Sequence, residues 1–334
     1  MDELYNDQHL ADFLRSTASA EPTQRSTALT QFLGTLGPVI RQGVMDGDNV
    51  AGIFSMVTLP PGVSPEFPVD FITPGSEGEF RAFTNPGKGK PPALVVSGDK
   101  ITLADKGNIL RVEYDLQYAR NARWDVVGRL VEAHMAGFVK TRNDDCWHTI
   151  LASVADRGVV VYDSAATQGV FTKKLFSLAR CSMARNSGGN ASSIKKGRLT
   201  DVYLSCEGIE EILNWNLDQV PESVRSQLYS MSGGDNTTLD ILKVRLHEMY
   251  ELGTSQEYQS YYLNRLGGQL ATSDDELAIG LDLVNRDSFI FAVTQPLEVF
   301  EDPALHASQK GGFYGWERYA VGALDSRRNF AMSY

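Results

Sequence analysis

The spacing of apolar residues changes character along the chain, and each change predicts a different element. Near the start, Leu29, Phe32, Leu33, Leu36, Ile40 and Val44 recur at three- and four-residue steps. That spacing predicts an amphipathic helix, which Pro38 should break or kink. A longer helical pattern runs through "LQYARNARWDVVGRLVEAHMAGFVKTRNDDCWHTILASVADRG", with Trp124, Val127, Val131, Met135 and Phe138 on one stripe. Unbroken from Leu116 to Ala155, it would extend roughly 60 Å at the α-helical rise per residue. A break is expected at Asn143–Asp144–Asp145, because these residues are good N-caps for a second helix.

Between the two helical patterns, residues 60–92 hold eight of the chain's 13 prolines, with glycines at 62, 75, 78, 87 and 89. No helix survives that density of proline. Short strand-like pieces, "EFRAF" and "ALVV", flank the tip "TNPGKGKPP". The pattern fits an irregular loop or a long projecting hairpin. An isolated hairpin is barely stable in water, so an extended one implies a surface to lie on.

From 159 to 294, helical and strand patterns alternate. "GVVVYD" reads as a strand, Thr172 opens a helix, and "LTDVYLS" is a strand whose Ser205 caps the next helix. "DILKVRLHEM" alternates as one strand, with Leu242, Val244 and Leu246 opposite Lys243, Arg245 and His247. "LAIGLDLV" and "SFIFAV" follow as strands. After 295, "GGFYGWERYAVGALDSRRNF" predicts one long strand with apolar residues on both faces, hence covered on both sides. Glu317 and Arg318 should point opposite ways. The order of elements is that of an α+β chain.

Charge narrows the function. With 334 residues and a net charge of −11, the chain can bury a substantial core but carries no basic surplus. Tight, direct grip on nucleic acid is disfavoured, although an acidic protein can still enclose DNA. The cysteines Cys146, Cys181 and Cys206 are few and widely spaced, which fits buried thiols in a reducing compartment. No signal-peptide pattern opens the chain, and no apolar run reaches membrane-spanning length.

The search for chemistry finds no complete constellation. There is no G-x-S-x-G, and His247–Glu248 lacks the second histidine of a zincin helix. Cys146 and His148 are two apart, which puts them on different helix faces. "NPGKGKPP" and "GGNASSIKKG" lack the G-K-[ST] ending of a phosphate loop. "DGDN" at 46–49 lacks the later ligands of a calcium loop, and "SDDE" at 273–276 reads as an acidic surface turn. No catalytic residue, cofactor site or metal site is assigned. An α+β enzyme with a purely spatial site remains as a lesser alternative.

What stands out is architecture: an arm, a projecting hairpin, a long strut and an inserted domain. In that order the parts resemble the major capsid protein of tailed bacteriophages, the Hong Kong 97-type fold. The resemblance is carried by "FPVDFITPG", "YARNARWDVVGRLVEAHMAGFVKTRNDDCWHTILA", "GRLTDVYLSCEGIEEILNWNLDQV" and "VFEDPALHASQKGGFYGWERYAVGALDSRR". It implies an N-terminal arm (1–59), an E-loop (60–112), a peripheral domain with a spine helix (113–158), an axial domain (159–294) and peripheral return strands (295–334). The tail strand would then lie beneath the spine.

The resemblance further implies pentamers and hexamers closing into an icosahedral shell, in the virion and, during assembly, in the host cytoplasm. Partners would be other copies, a portal protein, and scaffolding and decoration proteins, around double-stranded DNA held without sequence-specific binding and with no membrane. Interface candidates are Arg81, Phe83, Lys88, Lys90, Lys195, Lys196, Arg198, Glu317, Arg318, Arg327 and Arg328. Covalent crosslinking through Lys88, Lys90 or Lys100, as in some relatives, is not expected. An encapsulin-type nanocompartment shell shares the fold and is the alternative.

Overall fold

In the computed structural model, the described residues are 50, 52–60, 62–69, 99–121, 124–185, 197–215, 238–241, 243–272, 274–284 and 288–334, with short pieces between 15 and 44. The strands, in chain order, are β1 (Ser55–Thr58), β2 (Glu66–Val69), β3 (Asp99–Thr102), β4 (Asp105–Asp115), β5 (Val160–Tyr162) and β6 (Asp201–Leu204). They continue with β7 (Thr238–Ile241), β8 (Val244–Glu248), β9 (Leu277–Leu281), β10 (Phe289–Glu301), β11 (Lys310–Ala323) and β12 (Asn329–Ser333). The main helices are α1 (Leu116–Arg120), α2 (Trp124–Arg157), α3 (Lys173–Arg185) and α4 (Cys206–Leu213).

The strands form two main sheets and a small ribbon. The first sheet has the order β1-β10-β11-β4, the second β5-β12-β9-β6-β8-β7, and β2 pairs with β3 in a two-stranded ribbon. In the first sheet β11 lies antiparallel to both β10 and β4, while β1 adds in parallel to β10.

Helix α2 ties the two sheets together. It is 34 residues long, about 51 Å at the α-helical rise. In its first half Val131 and Phe138 pack with Leu297 and Phe313 of the first sheet, together with Ile40 and Val44 from earlier in the chain. In its second half Ile150, Leu151 and Val154 pack with Leu277, Ile279 and Ala331 of the second sheet. The other face of the second sheet is covered by α3 and α4, through Leu175, Phe176, Met183, Ile209 and Ile212.

Several sequence expectations are corrected. α2 does not break at Asn143–Asp145, because those carboxylates serve tertiary partners and not a helix cap. Asp144 accepts from Tyr258 Oη at 2.8 Å, and Asp145 from Tyr319 Oη at 2.8 Å. "DILKVRLHEM" is not one strand but a hairpin, turning at Lys243 with φ 66°. The boundary at 295 does not coincide with a change of sheet: β10, from Phe289, belongs to the first sheet, and β12 near the end belongs to the second. Of the three thiols only Cys146 is buried, and Cys181 and Cys206 are exposed. The caps at Thr172 and Ser205 form as expected, accepting from Leu175 N at 3.0 Å and Gly208 N at 3.1 Å.

Candidate functional site

The first sheet offers one face to α2 and the other to the outside. Along β11 the alternation of side chains sends Phe313, Glu317 and Tyr319 under the helix, and Tyr314, Trp316 and Arg318 away from it. Gly315 lies on the covered face, where an added Cβ would sit 2.7 Å from the His134 ring. A side chain there would hold the helix off the sheet. His134 itself is fully buried, between Phe138 and Phe313. Its Nε2 lies 3.2 Å from the Leu110 carbonyl, which can only accept, so Nε2 carries the proton. Burial pushes the His134 pKa down, with the Leu110 contact opposing.

Charged and hydroxyl side chains also join the helix to the sheet. Arg142 donates from Nε to both Glu317 oxygens at 3.1 Å, and from Nη2 to Oε2. Tyr319 donates to Asp145 and accepts from Asn108 Nδ2 at 2.6 Å, and burial next to Asp145 pushes its hydroxyl pKa well up. Lys106 Nζ completes the set on Asp145 at 2.6 Å.

The outward face of the same sheet is only partly covered. The β2–β3 ribbon, which forms the base of the expected E-loop, packs Phe67 and Ile101 over Leu103, Ile290, Ala292, Ala320 and Leu324. Gly322 is needed there, since a Cβ would lie 2.2 Å from Leu103 Cδ2. Beyond the ribbon the face is open. Phe300 stacks on Tyr314 at 5.7 Å and meets Trp316 edge-on at 6.0 Å, with exposed Ile109 paired opposite Trp316. Coverage of β11 on both sides, read from its composition, therefore holds for one end only.

The interface candidates fall into three groups. Arg81, Phe83, Lys88, Lys90, Lys195 and Lys196 lie outside the described residues, as do the strand-like pieces around the loop tip. Arg198 is exposed, and so is Arg318, which pairs with Asp105 at 2.7 Å. Glu317 and Arg328 require correction: each is 1% exposed and its charge is neutralised within the subunit, by Arg142 and by Asp282 at 2.6 Å respectively. Arg327, partly buried, folds back on Asp325 at 2.9 Å. Sequence reading missed the open aromatic cluster, because strand composition alone does not say which neighbour ends early.

The nearest to a catalytic dyad is His247 Nε2 on Asp201 Oδ1 at 2.8 Å, with Arg245 on the same carboxylate at 3.0 Å and Tyr203 stacked on the imidazole. Among the described residues no hydroxyl or thiol hydrogen-bonds to that histidine. Asp275 of "SDDE" is not a surface acid. It is buried and accepts from Thr272 N and Ser333 Oγ, both at 2.9 Å. Among the described residues no group of three or more His, Cys, Asp or Glu side chains could hold a metal ion, and no helix is long and apolar enough to cross a membrane.

Comparison with known proteins places the fold. No family model and no curated protein sequence matches the chain. Solved structures do match. The capsid of an empty GTA particle superposes with a TM-score of 0.56 at 12% identity, covering 86% of this chain and 90% of that one. A chain of Microbacterium phage Oxtober96 gives 0.53 at 13% identity, over 83% and 85%. One of Gordonia phage Cozz gives 0.50 at 11%, over 86% of each. The chain thus has an α+β fold of the Hong Kong 97-like type found in phage capsids.

Proposed function

We propose that the chain is the major capsid protein of a tailed bacteriophage. The observation that carries this reading is the superposition on the capsid of the empty GTA particle over nearly the full length of both chains. Copies associate into pentamers and hexamers, and these close into an icosahedral shell around double-stranded DNA. A portal protein occupies one vertex, and scaffolding and decoration proteins act on the same shell. The protein resides in the virion, and in the host cytoplasm while shells assemble. It turns over no substrate.

The division of labour within the subunit supports this reading. Helix α2 braces two sheets into one tile. The β2–β3 ribbon packs on the outward face of the first sheet. The uncovered aromatics of that face supply apolar area for a neighbour, and many weak identical contacts add up in a closed shell. A net charge of −11 keeps the shell from gripping the DNA that it contains.

Electron microscopy of purified particles tests the proposal. Uniform closed shells are expected, and only monomers or dimers under every assembly condition would overturn it. Mass spectrometry of the shells separates a virion from a nanocompartment. Portal protein and DNA are expected, and an enclosed cargo enzyme would refute the virion.

A further inference from the structure

The second sheet carries a cationic cleft at one side. Helix α3 lays Leu175, Phe176, Ala179 and Met183 on the sheet, so Ser177, Arg180 and Cys181 face outward on the opposite stripe. The incoming chain at Arg198 and the β7–β8 turn at Lys243 close the other walls, enclosing about 380 Å³. Arg180, Arg198 and Lys243 are all exposed. None of the three has an ion-pair partner among the described residues. Asp282 accepts the Arg198 backbone N–H at 3.1 Å. Its charge is already neutralised by Arg328 at 2.6 Å.

Two features make this more than a scatter of surface charge. Lys243 stands in the left-handed region at φ 66°, where glycine or asparagine is favoured. The turn therefore carries a long cationic side chain at a position that disfavours one. In addition, exposed carboxylates stand near the other edge of the sheet. β7, beside the cleft, is one edge strand and β5 is the other. The loops at the β5 edge are joined by Gln168 Nε2 donating to Thr272 Oγ1 at 3.1 Å. Exposed Asp274 lies two residues past Thr272 and exposed Asp156 four residues before β5, both without ion-pair partners among the described residues.

We propose that this cleft receives carboxylate side chains from the β5 edge of a second copy of the chain. Opposite charges on opposite flanks of one subunit define a head-to-tail contact, the kind that closes into rings. The inference rests on the self-assembly proposed above and names a contact within it. A carboxylate is favoured over a nucleic-acid phosphate for two reasons. The net charge of −11 repels a polyanion at range, and it makes other copies a rich source of acids. The guanidinium groups of Arg180 and Arg198 match a carboxylate in two-pronged geometry.

Cys181 lines the cleft as an exposed free thiol and reports on its occupancy. The experiment labels the full chain, in a Cys206→Ser background, with a bulky maleimide. In assembled particles Cys181 should react roughly tenfold more slowly than in dissociated subunits, because the contact excludes solvent. Reversing the cleft charge with Arg180→Glu and Lys243→Glu should abolish assembly without changing the circular dichroism, and adding Asp274→Lys should restore it. Equal labelling of Cys181 in intact shells and free subunits overturns the proposal and leaves the shell standing. Small rings with a protected Cys181 keep the contact and overturn the shell. Protection that disappears once particles are emptied of nucleic acid assigns the cleft to phosphate and overturns the proposal. If the charge-reversed chain fails to fold, labelling of the unreversed chain decides.

Discussion

Replacing Arg142 by Met tests whether the contact between α2 and the first sheet is as dry as its geometry implies. The side chains of Arg142 and Glu317 are 8% and 1% exposed. Nε of Arg142 reaches both carboxylate oxygens at 3.1 Å, and its guanidinium lies 5.9 Å from the centroid of the Phe291 ring. Met fills a similar volume but leaves Glu317 buried without its cation. Leaving one member of a buried pair uncompensated costs about 3–5 kcal/mol, whereas replacing both members with apolar groups is often neutral or better. Urea denaturation of dissociated subunits reads this out. Arg142→Met should lower the unfolding free energy by about 3–5 kcal/mol at constant m-value, and Arg142→Met with Glu317→Leu should return it to within about 1 kcal/mol of the unmodified chain. A single-variant cost below about 1 kcal/mol would mean that water reaches Glu317, and the dry helix–sheet contact would be refuted.

Further predictions concern the same contact. Gly315→Ala puts a Cβ 2.7 Å from a His134 ring wedged between two phenylalanines, whereas Gly137→Ala meets only the movable Leu110 Cδ2 at 2.6 Å. The first should cost about 1–3 kcal/mol and the second clearly less, and equal costs in urea would contradict this. His134 is held neutral by burial, so the unfolded chain binds more protons below the ordinary histidine value of about 6.5. Stability should be flat above that pH and fall below it, with His148, also lowered by burial, acting in the same direction. His134→Leu should remove part of the slope, and an unchanged slope would count against the assignment. Tyr319→Phe removes the donor to Asp145 and the acceptor for Asn108, and should cost about 1–3 kcal/mol in the same denaturation assay.

Much of the element order was legible. The stripe of α2, the caps at Thr172 and Ser205, and strands β5, β6 and β9 follow from periods of 3.6 and 2 and from local capping chemistry. The places where reading failed share a cause. Asn143–Asp145 has the composition of a helix start, and only distant Tyr258 and Tyr319 make other use of its carboxylates. Lys243 continues a perfect alternation, yet the chain turns there, a choice that alternation alone does not reveal. For the surfaces, Arg198 was visible as a candidate, but Arg180 and Lys243 stand apart from it in sequence and join it only in the folded chain.

The sequence by itself determined the local choices: most of the helical and extended segments, and that the molecule is acidic and lacks a known catalytic signature. These depend on neighbours a few residues away or on sums over the chain. The tertiary structure decided what is buried. Glu317 and Arg318 are adjacent in a charged pair, yet one lies under α2 beside Arg142 and the other faces outward beside Asp105. Trp316 is left partly open because the β2–β3 ribbon covers only the other end of its strand. Burial is a property of what arrives from elsewhere in the chain, so a partly open aromatic face becomes visible only when all the elements are in place.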